Sequence, residues 1–299
     1  MPSSQSFAHA LDKSLLLNVA SQVGIAVPKT VVPKNWEEVE HIASTFKYPG
    51  VLKWHDPAKV MSELKQNQLS LFKAEHVSNA NEFICAAKRY LPLNAWPMMQ
   101  EYCSGFGLGQ FFFMHEGNAI RRFQHMRIAE WPPEGGFSSV CEAIPLQNFE
   151  RLQELSIALL PKIGWDGVAM LEYRYDPEHD SAVLMELNGR FWGSYPLAVA
   201  CNAGFGLLSY SVNTSGAVNV PGAMRDDLRC RMVSTEIKRL VRILFFPSKI
   251  NDQNFKIEPI KELIRFVSDY FNPRVRYYVW SCNDPVPWFT DILNFIFRR

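Results

Sequence analysis

Apolar residues recur at helical spacing in several stretches of the first hundred residues and form short runs between them. The helical spacing predicts helices over residues 12–24, 36–46 and 79–91, and Asp12 can cap the first of them. The short runs at residues 51–54 and 96–102 predict strands. This part of the chain is therefore expected to form a small lobe that mixes helices with strands.

Alternation of apolar and polar residues, typical of strands, dominates the middle of the chain. One hairpin is predicted around the turn Glu116-Gly117-Asn118, and a second around the turn at residues 176–180. The other elements predicted are a strand over 138–143, helices over 148–163 and 195–211, a turn-rich linker over 213–222, and a basic helix with Arg231, Lys238, Arg239 and Arg242. These elements predict a larger lobe built on an antiparallel sheet, followed by a helical extension.

Composition narrows the class of protein. The 299 residues are 47% hydrophobic and 20% charged, which is typical of a globular protein with a sizeable core. A net charge of +1 gives no general reason to expect nucleic-acid binding. The six cysteines are scattered without a C-x-x-C pair, so neither a zinc site nor a disulfide framework is expected. These features, and a polar N-terminus without a signal-peptide core, favour a cytoplasmic location.

The stretch Met185-Glu186-Leu187-Asn188-Gly189-Arg190 carries the clearest chemical signal. Side chains alternate along a strand, so Glu186, Asn188 and Arg190 are expected to share one face. Glu172, in the preceding strand, is expected opposite Glu186 or diagonal to it, about 5–8 Å away. Two such carboxylates repel unless a cation lies between them, and their oxygens suit Mg²⁺. The pattern indicates a metal–phosphate site, with a solvated sheet face as the plainer alternative.

Two lysines and a strand end gain meaning only in combination with that stretch. Lys53 ends an apolar strand and Lys13 begins the first predicted helix, and either alone is an ordinary solvated lysine. The segment Gln100-Glu101-Tyr102-Cys103 is either a strand end or a crossover between lobes. In this order, followed by Glu172 and Glu186-x-Asn188-x-Arg190, these residues resemble the ATP-grasp superfamily over roughly residues 10–210.

The resemblance implies an α+β, two-lobed ATP-grasp fold that binds ATP together with Mg²⁺ or Mn²⁺. Lys13 and Lys53 match the lysines that the family directs at the ATP phosphates, and Arg190 matches the arginine that contacts phosphate or acyl-phosphate. Gln100, Glu101, Tyr102 and Cys103 match the hinge that meets the adenine, and Glu172, Glu186 and Asn188 match the metal ligands. Arg127 begins a loop, ending at Ser139, that resembles a subgroup of carbamoyl-phosphate-synthase-like ligases. We expect this loop to cover the phosphates or the acceptor, with a plain surface loop as the alternative.

Three departures from the family pattern leave parts of the site open. Residues 54–75 contain no glycine, so the glycine-rich phosphate lid of the family has no counterpart there. Gly105-Phe106-Gly107 offers no acidic residue for the ribose, which leaves that contact unassigned. Only about ten residues precede Lys13, too few for the domain that usually contributes to the acceptor site. We expect this domain to be replaced by residues 222–299, by a partner chain or by self-association.

The predicted organisation has three parts: a small lobe over residues 1–98 with the lysine helix, a large lobe over 99–215 with the metal site, and an extension over 216–299. The expected function is that of an ATP- and Mg²⁺-dependent ligase that activates a small-molecule carboxylate as an acyl-phosphate for attack by an amine. A non-catalytic or partner-dependent nucleotide-binding subunit is the alternative. A carboxylase-like or kinase-like reaction also stays open, and the sequence identifies neither substrate.

The apolar and aromatic tail over residues 287–299 allows a separate interpretation. With its terminal arginines and the basic segment 229–242, it could dock on a membrane surface as a peripheral contact, or on a partner. Folding back onto the protein's own core is the preferred expectation.

Overall fold

The computed structural model describes residues 2–72, 74–250, 252 and 255–297. The elements of the first part are α1 Ser4–Leu11, α2 Lys13–Gln22, β1 Thr30–Val31, α3 Trp36–Thr45, β2 Gly50–Lys53, α4 Pro57–Gln66, β3 Glu75–Val77, α5 Ala80–Lys88 and β4 Met98–Glu101. Those of the middle part are β5 Phe106–His115, β6 Asn118–Trp131, β7 Phe137–Ala143, α6 Glu150–Lys162, β8 Gly167–Asp176, β9 Ser181–Asn188, α7 Tyr195–Ala200 and α8 Phe205–Ser215. The last are β10 Arg229–Arg231, α9 Val233–Phe245, α10 Pro259–Ser268, β11 Val275–Tyr277 and α11 Val286–Phe297.

The smaller sheet has the strand order β1–β4–β2–β3 among the described residues, and α3, α4 and α5 share its core. Its strands are antiparallel, with Val51 of β2 opposite Gln100 of β4. Asn35 caps α3 and Asn79 caps α5, because each side-chain oxygen accepts a hydrogen bond from a backbone N–H in the first turn. The helices around these caps were predicted, whereas α4 and β3 were not.

The larger sheet runs β11–β10–β7–β6–β5–β8–β9 through the described residues and contains both predicted hairpins. Its inner strand β5 is buried on both faces. Phe112 packs in the cluster formed with α2 and α6, while Phe111 and Phe113 pack in the cluster formed with α7 and α8. Because successive side chains point to opposite faces, covering both faces accounts for the continuous apolar run in this strand.

The lysine helix α2 packs on the larger sheet, not in the small lobe where we predicted it. Leu16 of α2 lies in the same core cluster as Leu187 of β9. Asp12 caps the helix as expected, since its Oδ1 accepts a hydrogen bond from the N–H of Ser14 at 2.9 Å. The apolar stripe of α2 packs against β9, and this packing brings Lys13 next to Glu186 of that strand. The three predicted domain boundaries stay predictions.

The extension adds a strand, β10, to the larger sheet before its basic helix begins. Arg231 lies on strand β10, where its neighbour Cys230 pairs with Cys141 of β7. The helix starts two residues later, and the buried Arg231 guanidinium donates to the carboxylate of Glu236. Strand pairing to β7 therefore overrides the helical pattern at residues 229–231, and the charge of Arg231 is neutralised inside the protein.

The predicted tail forms α11, which contacts α9. Phe289 and Leu293 of this helix are exposed. The last two residues of the predicted tail, 298 and 299, lie outside the described part of the chain. Among the described helices, none is both long and apolar enough to cross a bilayer.

Candidate functional site

A cleft of about 440 Å³ lies between the two sheets. Apolar side chains such as Val51, Phe72 and Met185 line it together with many charged ones. The charged residues that line it are Lys13, Lys53, Glu101, Arg127, Glu130, Glu134, Glu172, Arg174 and Glu186. Four basic and five acidic side chains thus share the cleft with an apolar wall.

Glu172 of β8 and Glu186 of β9 lie directly opposite each other across the hairpin. This register agrees with the closer of the two predicted arrangements. The pairing shifts immediately afterwards, between Glu172 and Tyr173, and such an irregularity re-aims the side chains beside it. Burial raises the pKa of Glu172; the charge of Arg127 opposes the shift, and the charge of Glu186 adds to it.

Arg127 of β6 is the cation that holds Glu172. Its Nη2 lies 2.5 Å from Oε2 of Glu172, and its Nη1 donates to Oε1 of Glu130 at 2.9 Å and to the carbonyl of Gly136 at 3.2 Å. Arg174 donates to the other oxygen of Glu130 at 3.1 Å. Burial lowers the pKa of Arg127, but the charges of Glu172 and Glu130 outweigh burial and raise it overall. Two arginines and two carboxylates thus alternate along one side of the cleft.

Lys13 and Lys53 approach the cleft from different lobes. Nζ of Lys13 lies 3.3 Å from Oε2 of Glu186, and the Lys13 N–H donates to the carbonyl of His55 at 3.4 Å. Lys53, the last residue of β2, donates from Nζ to Oε1 of Gln100 at 3.0 Å. Burial lowers the pKa of Lys53 to about 8, Glu186 opposes the shift, and Lys13 adds to it. Two neighbouring lysines with this mutual repulsion form a ready place for a multiply charged anion.

The four predicted hinge residues contribute in different ways. Gln100 is buried, and its amide is shared between Lys53 and the hydroxyl of Thr30, to which Nε2 donates at 3.1 Å. Gln100 therefore positions a lysine of the cleft. Glu101, Tyr102 and Cys103 line the cleft itself.

Tyr102 links the hinge to the C-terminal extension. Its hydroxyl donates to Oδ2 of Asp252 at 2.7 Å, and its ring lies 5.7 Å from that of His76. Burial and the hydrogen bond to Asp252 both raise the pKa of Tyr102. Burial also raises the pKa of the Cys103 thiol to about 11, which keeps it neutral at physiological pH. Tyr102 thus fixes the hinge, and Cys103 is not an activated nucleophile.

The loop at residues 132–136 borders the cleft, because Glu134 and both glycines of the loop line it. The loop is shorter than predicted, because residues 127–131 belong to β6 and residues 137–139 to β7. Its function as a cover stays a prediction. Arg239 of α9 holds the loop from behind: its Nη1 donates to the carbonyl of Glu130 at 3.0 Å and to that of Pro133 at 3.2 Å. The extension therefore supports the cleft at two points, the loop and the hinge.

A smaller pocket of about 160 Å³ adjoins the cleft, and the two share Arg127, Gly136, Glu172 and Glu186. Asn188 lines it and donates from Nδ2 to Oε1 of Glu186 at 3.0 Å. Its other side chains are those of Phe137, Ser138, Met170, Arg190, Trp192 and Ser194. The paired carboxylates thus lie where a large cavity meets a small one.

Arg190 does not continue the face of β9 as we predicted. The strand ends at Asn188, and the exposed Arg190 donates from Nη1 to the carbonyl of Phe191 at 3.1 Å. Gly189 lies so close to Trp165 that an added Cβ would come within 2.5 Å of its ring. This close approach accompanies the end of the strand, and Arg190 faces the smaller pocket, where it can meet a negative group.

The donor set fits a hard cation. Glu172 and Glu186 present carboxylate oxygens on adjacent strands, and Asn188 adds an amide beside them. Within the described residues no cluster of three or more His, Cys, Asp and Glu forms a metal site by itself. A bound Mg²⁺ would therefore complete its shell with water and ligand oxygens, as this ion commonly does. Arg127 and Lys13 form ion pairs with the two carboxylates, and a bound metal ion would have to replace them.

Several side chains of the site were not predicted from the sequence. Arg174 lies two residues after Glu172 on the same strand, so alternation alone could have placed it on the cleft face. His76 and Asp252 gave no comparable signal, because β3 is a three-residue strand and Asp252 lies outside regular structure. Their contribution depends on tertiary packing that a local pattern does not encode.

Comparison with protein-family models finds no match, and comparison with curated proteins finds none. Solved structures do match. One is N5-carboxyaminoimidazole synthetase from Staphylococcus aureus complexed with ADP, with a TM-score of 0.59 and 11% identity over 76% of this chain and 57% of that chain. Another is the biotin carboxylase domain of 2-oxoglutarate carboxylase from Hydrogenobacter thermophilus with MgADP, ADP and bicarbonate, with a TM-score of 0.56 and 14% identity over 76% and 49%.

A third match is L-amino acid ligase from Bacillus licheniformis, with a TM-score of 0.51 and 13% identity over 73% of this chain and 50% of that chain. The chain thus spans about half the length of these structures. At such identities the likeness shows the fold. The protein has the two-lobed α+β fold of the ATP-grasp enzymes, which confirms the predicted fold class.

Proposed function

We propose that the protein is an ATP- and Mg²⁺-dependent ligase that activates a carboxylate as an acyl-phosphate for attack by an amine. The observation that carries the proposal is the meeting of two cavities at Glu172 and Glu186. The larger cavity has the size for a nucleoside triphosphate, and Lys13 and Lys53 can meet its phosphates. The smaller one suits an acid, and the carboxylate pair lies where phosphoryl transfer between the two ligands would take place.

In this proposal the nucleotide lies in the larger cleft. Its base contacts apolar side chains such as Val51 and Met185. Its phosphates approach Lys13 and Lys53. The lowered pKa of Lys53 supports this arrangement, because a group that is strained by burial and by a second lysine gains most from an anionic ligand.

Glu172, Glu186 and Asn188 would hold Mg²⁺, which when bound neutralises phosphate charge and polarises the phosphorus for attack. Arg127 and Lys13 then exchange their carboxylate partners for phosphate oxygens. Since both already point at this position, the exchange needs side-chain movement and no refolding. Their positive charges stabilise the charge that spreads over the transferred phosphoryl group.

The reaction proceeds in two transfers. A carboxylate oxygen of the acid forms a bond to the γ-phosphorus while the bond to the β-phosphate oxygen breaks, and ADP leaves. The neutral amine then attacks the carbonyl carbon, the carbon–oxygen bond to phosphate breaks, and the proton of the amine passes to the solvent. The loop at residues 132–136 and the buried walls of the cleft protect the acyl-phosphate from water.

The smaller pocket would hold the acid. Arg190 offers a guanidinium for its charge, and Phe137, Met170 and Trp192 offer an apolar wall. The indole N–H of Trp192 is buried and has no hydrogen-bond partner within the described residues. A volume of about 160 Å³ favours a small acid over a bulky one.

Hydroxylamine tests this proposal without knowledge of the natural amine, because it captures an acyl-phosphate as a hydroxamate. Pure protein with ATP, Mg²⁺, hydroxylamine and a pool of small carboxylic acids is expected to form ADP and hydroxamate together. Glu172→Gln is expected to abolish both products, and Glu178→Gln, in the exposed turn of the same hairpin, is expected to keep them. Formation of ADP without hydroxamate from any acid would contradict the acyl-phosphate.

One observation favours a second candidate function, nucleotide binding without catalysis. Arg127 and Lys13 neutralise both carboxylates, which resembles a site that does without a metal. In that case ATP binds equally well with and without Mg²⁺, and no hydroxamate forms. The same two measurements therefore separate the candidates.

The cytosol is the compartment that we propose for this reaction. It supplies ATP and Mg²⁺, and it keeps thiols reduced. The six cysteines are unpaired in the structure, in agreement with such an environment.

A further inference from the structure

Helix α10 exposes its apolar face. Ile260 is 76% exposed and Ile264 63%, and Leu263 and Val267, at 43% and 48%, complete the stripe. Single exposed apolar residues are ordinary on a protein surface. Four of them at helical spacing on one face mark a surface that is covered by something else.

The charged face of α10 is turned inward and fixed there. Its three ion pairs with β10 and α9 are Arg239–Glu262 at 2.7 Å, Arg265–Glu236 at 2.9 Å and Arg229–Asp269 at 2.7 Å. The carboxylate of Asp269, which directly follows the helix, is buried in this network. Rotating α10 to bury its apolar stripe would break all three pairs. The exposed stripe is therefore built into the packing of the extension.

Neighbouring helices of the extension also expose apolar side chains. Phe289 and Leu293 of α11 are exposed, as are Phe245 at the end of α9 and Phe271 just after α10. Both α10 and α11 contact α9. The extension thus carries a group of exposed apolar and aromatic side chains around one helix.

Charge is segregated along the chain. Residues 229–299 contain 13 Lys and Arg against 7 Asp and Glu, whereas residues 1–228 contain 18 against 23. Three of the acidic residues in the extension face inward in the pairs above. The Lys and Arg residues of the extension at exposed positions are Lys238, Lys249, Lys256, Lys261, Arg274 and Arg276. The outer surface of the extension is therefore both apolar and basic.

We propose that the extension binds the surface of an anionic lipid bilayer through α10. Its apolar stripe enters the interface, and Lys256 and Lys261 flank the stripe. Lys256 reaches the negative headgroups, and Lys261 exchanges its exposed partner Glu258, at 2.9 Å, for a headgroup. A second copy of the chain would cover the apolar stripe but would bring two basic surfaces together, which repel. An anionic bilayer covers the apolar stripe and also attracts the basic side chains.

Co-sedimentation of the full chain with vesicles tests the proposal. We expect binding to vesicles of phosphatidylcholine with about 30% phosphatidylserine and much weaker binding to phosphatidylcholine alone. Ile264→Asp is expected to weaken binding by at least about tenfold. Each of Lys256→Gln and Lys261→Gln is expected to weaken it about fivefold. The matched control is Leu207→Asp, at an exposed position of α8 outside the extension, which should bind like the unaltered protein.

Three results would overturn the proposal. The first is failure of the unaltered protein to bind anionic vesicles, and the second is unchanged binding of Ile264→Asp. The third is a dimer in solution that Ile264→Asp converts to a monomer, which would assign the stripe to self-association. Ligase activity in solution does not enter these measurements, so their outcome is independent of the proposed reaction.

Discussion

Glu172 and Glu186 lie directly opposite each other on β8 and β9, and each is held by a cation from another element. Arg127 from β6 contacts the first, and Lys13 from α2 contacts the second. Like charges in directly opposed positions destabilise a sheet unless they are neutralised. The pair therefore persists by virtue of its cations, and a ligand that brings its own cation competes with Arg127 and Lys13 for the same oxygens.

Removing Arg127 should destabilise the fold. Its side chain is only 9% exposed, and Arg127→Leu leaves the carboxylate of Glu172 buried without its partner. Losing one partner of a buried pair costs about 3–5 kcal/mol, and we expect a decrease of this size in the free energy of unfolding in urea. Arg122→Leu, at an exposed position of the same strand, should change it by less than about 0.5 kcal/mol. Equal effects of the two variants would show that the buried network contributes no special stability.

ATP binding should take up a proton above neutral pH. The pKa of Lys53 is about 8 without ligand, and nearby phosphates raise it because they stabilise the charged form. Below the free pKa the lysine is already charged; above it, binding adds a proton and the affinity falls by up to about tenfold per pH unit. Calorimetry in buffers of different ionisation enthalpy measures the uptake at about pH 8.5 and about pH 6.5. Lys53→Met should abolish the difference, and an unchanged uptake in this variant would assign the proton to another group.

Gln100 should matter for ATP binding although it is buried. Gln100→Leu removes the oxygen that accepts from Nζ of Lys53 at 3.0 Å and leaves the lysine without a fixed orientation. Because hydrogen bonds to charged groups contribute about 1.5–3 kcal/mol, we expect ATP affinity to fall about tenfold or more. Thr30→Val, which removes only the contact behind Gln100, should have a smaller effect on the same calorimetric measurement. The reverse order of the two effects would contradict a positioning role.

Arg239 should control the order of the loop at residues 132–136. Arg239→Met removes the donors to the carbonyls of Glu130 and Pro133, so hydrogen exchange of the loop amides is expected to accelerate. Arg151→Met, at an exposed position of α6, is the control, because Arg151 donates to Oε2 of Glu154. Similar exchange rates of the loop amides in both variants would show that Arg239 does not order the loop.

Local sequence signals located the elements that carry the site. Asp12 caps its helix as its side chain predicted, and the second hairpin placed Glu172 opposite Glu186. These features depend on neighbours in sequence or on the two-residue period of a strand, so a single sequence is sufficient to find them.

The parts that could not be predicted depend on contacts between distant segments. The lysine helix packs on β9 because a complementary apolar surface exists there, which its own pattern does not reveal. Arg231 was wrongly placed on a helix because pairing with β7 decides its conformation. The hydrogen bond from Tyr102 to Asp252 joins residues 150 positions apart. Tertiary packing selects such partners, and no local period encodes them.

Calorimetric titration with ATP, with and without Mg²⁺, tests the central site most directly. We expect Mg²⁺ to strengthen ATP binding to the unaltered protein and to Glu178→Gln. In Glu186→Gln, Mg²⁺ should no longer strengthen ATP binding. The loss of Mg²⁺ affinity should exceed the roughly 10–100-fold loss that is typical when a residue only supports a metal ligand. ATP binding that is absent or independent of Mg²⁺ in the folded, unaltered protein, or an undiminished Mg²⁺ effect in Glu186→Gln, would contradict the proposed site.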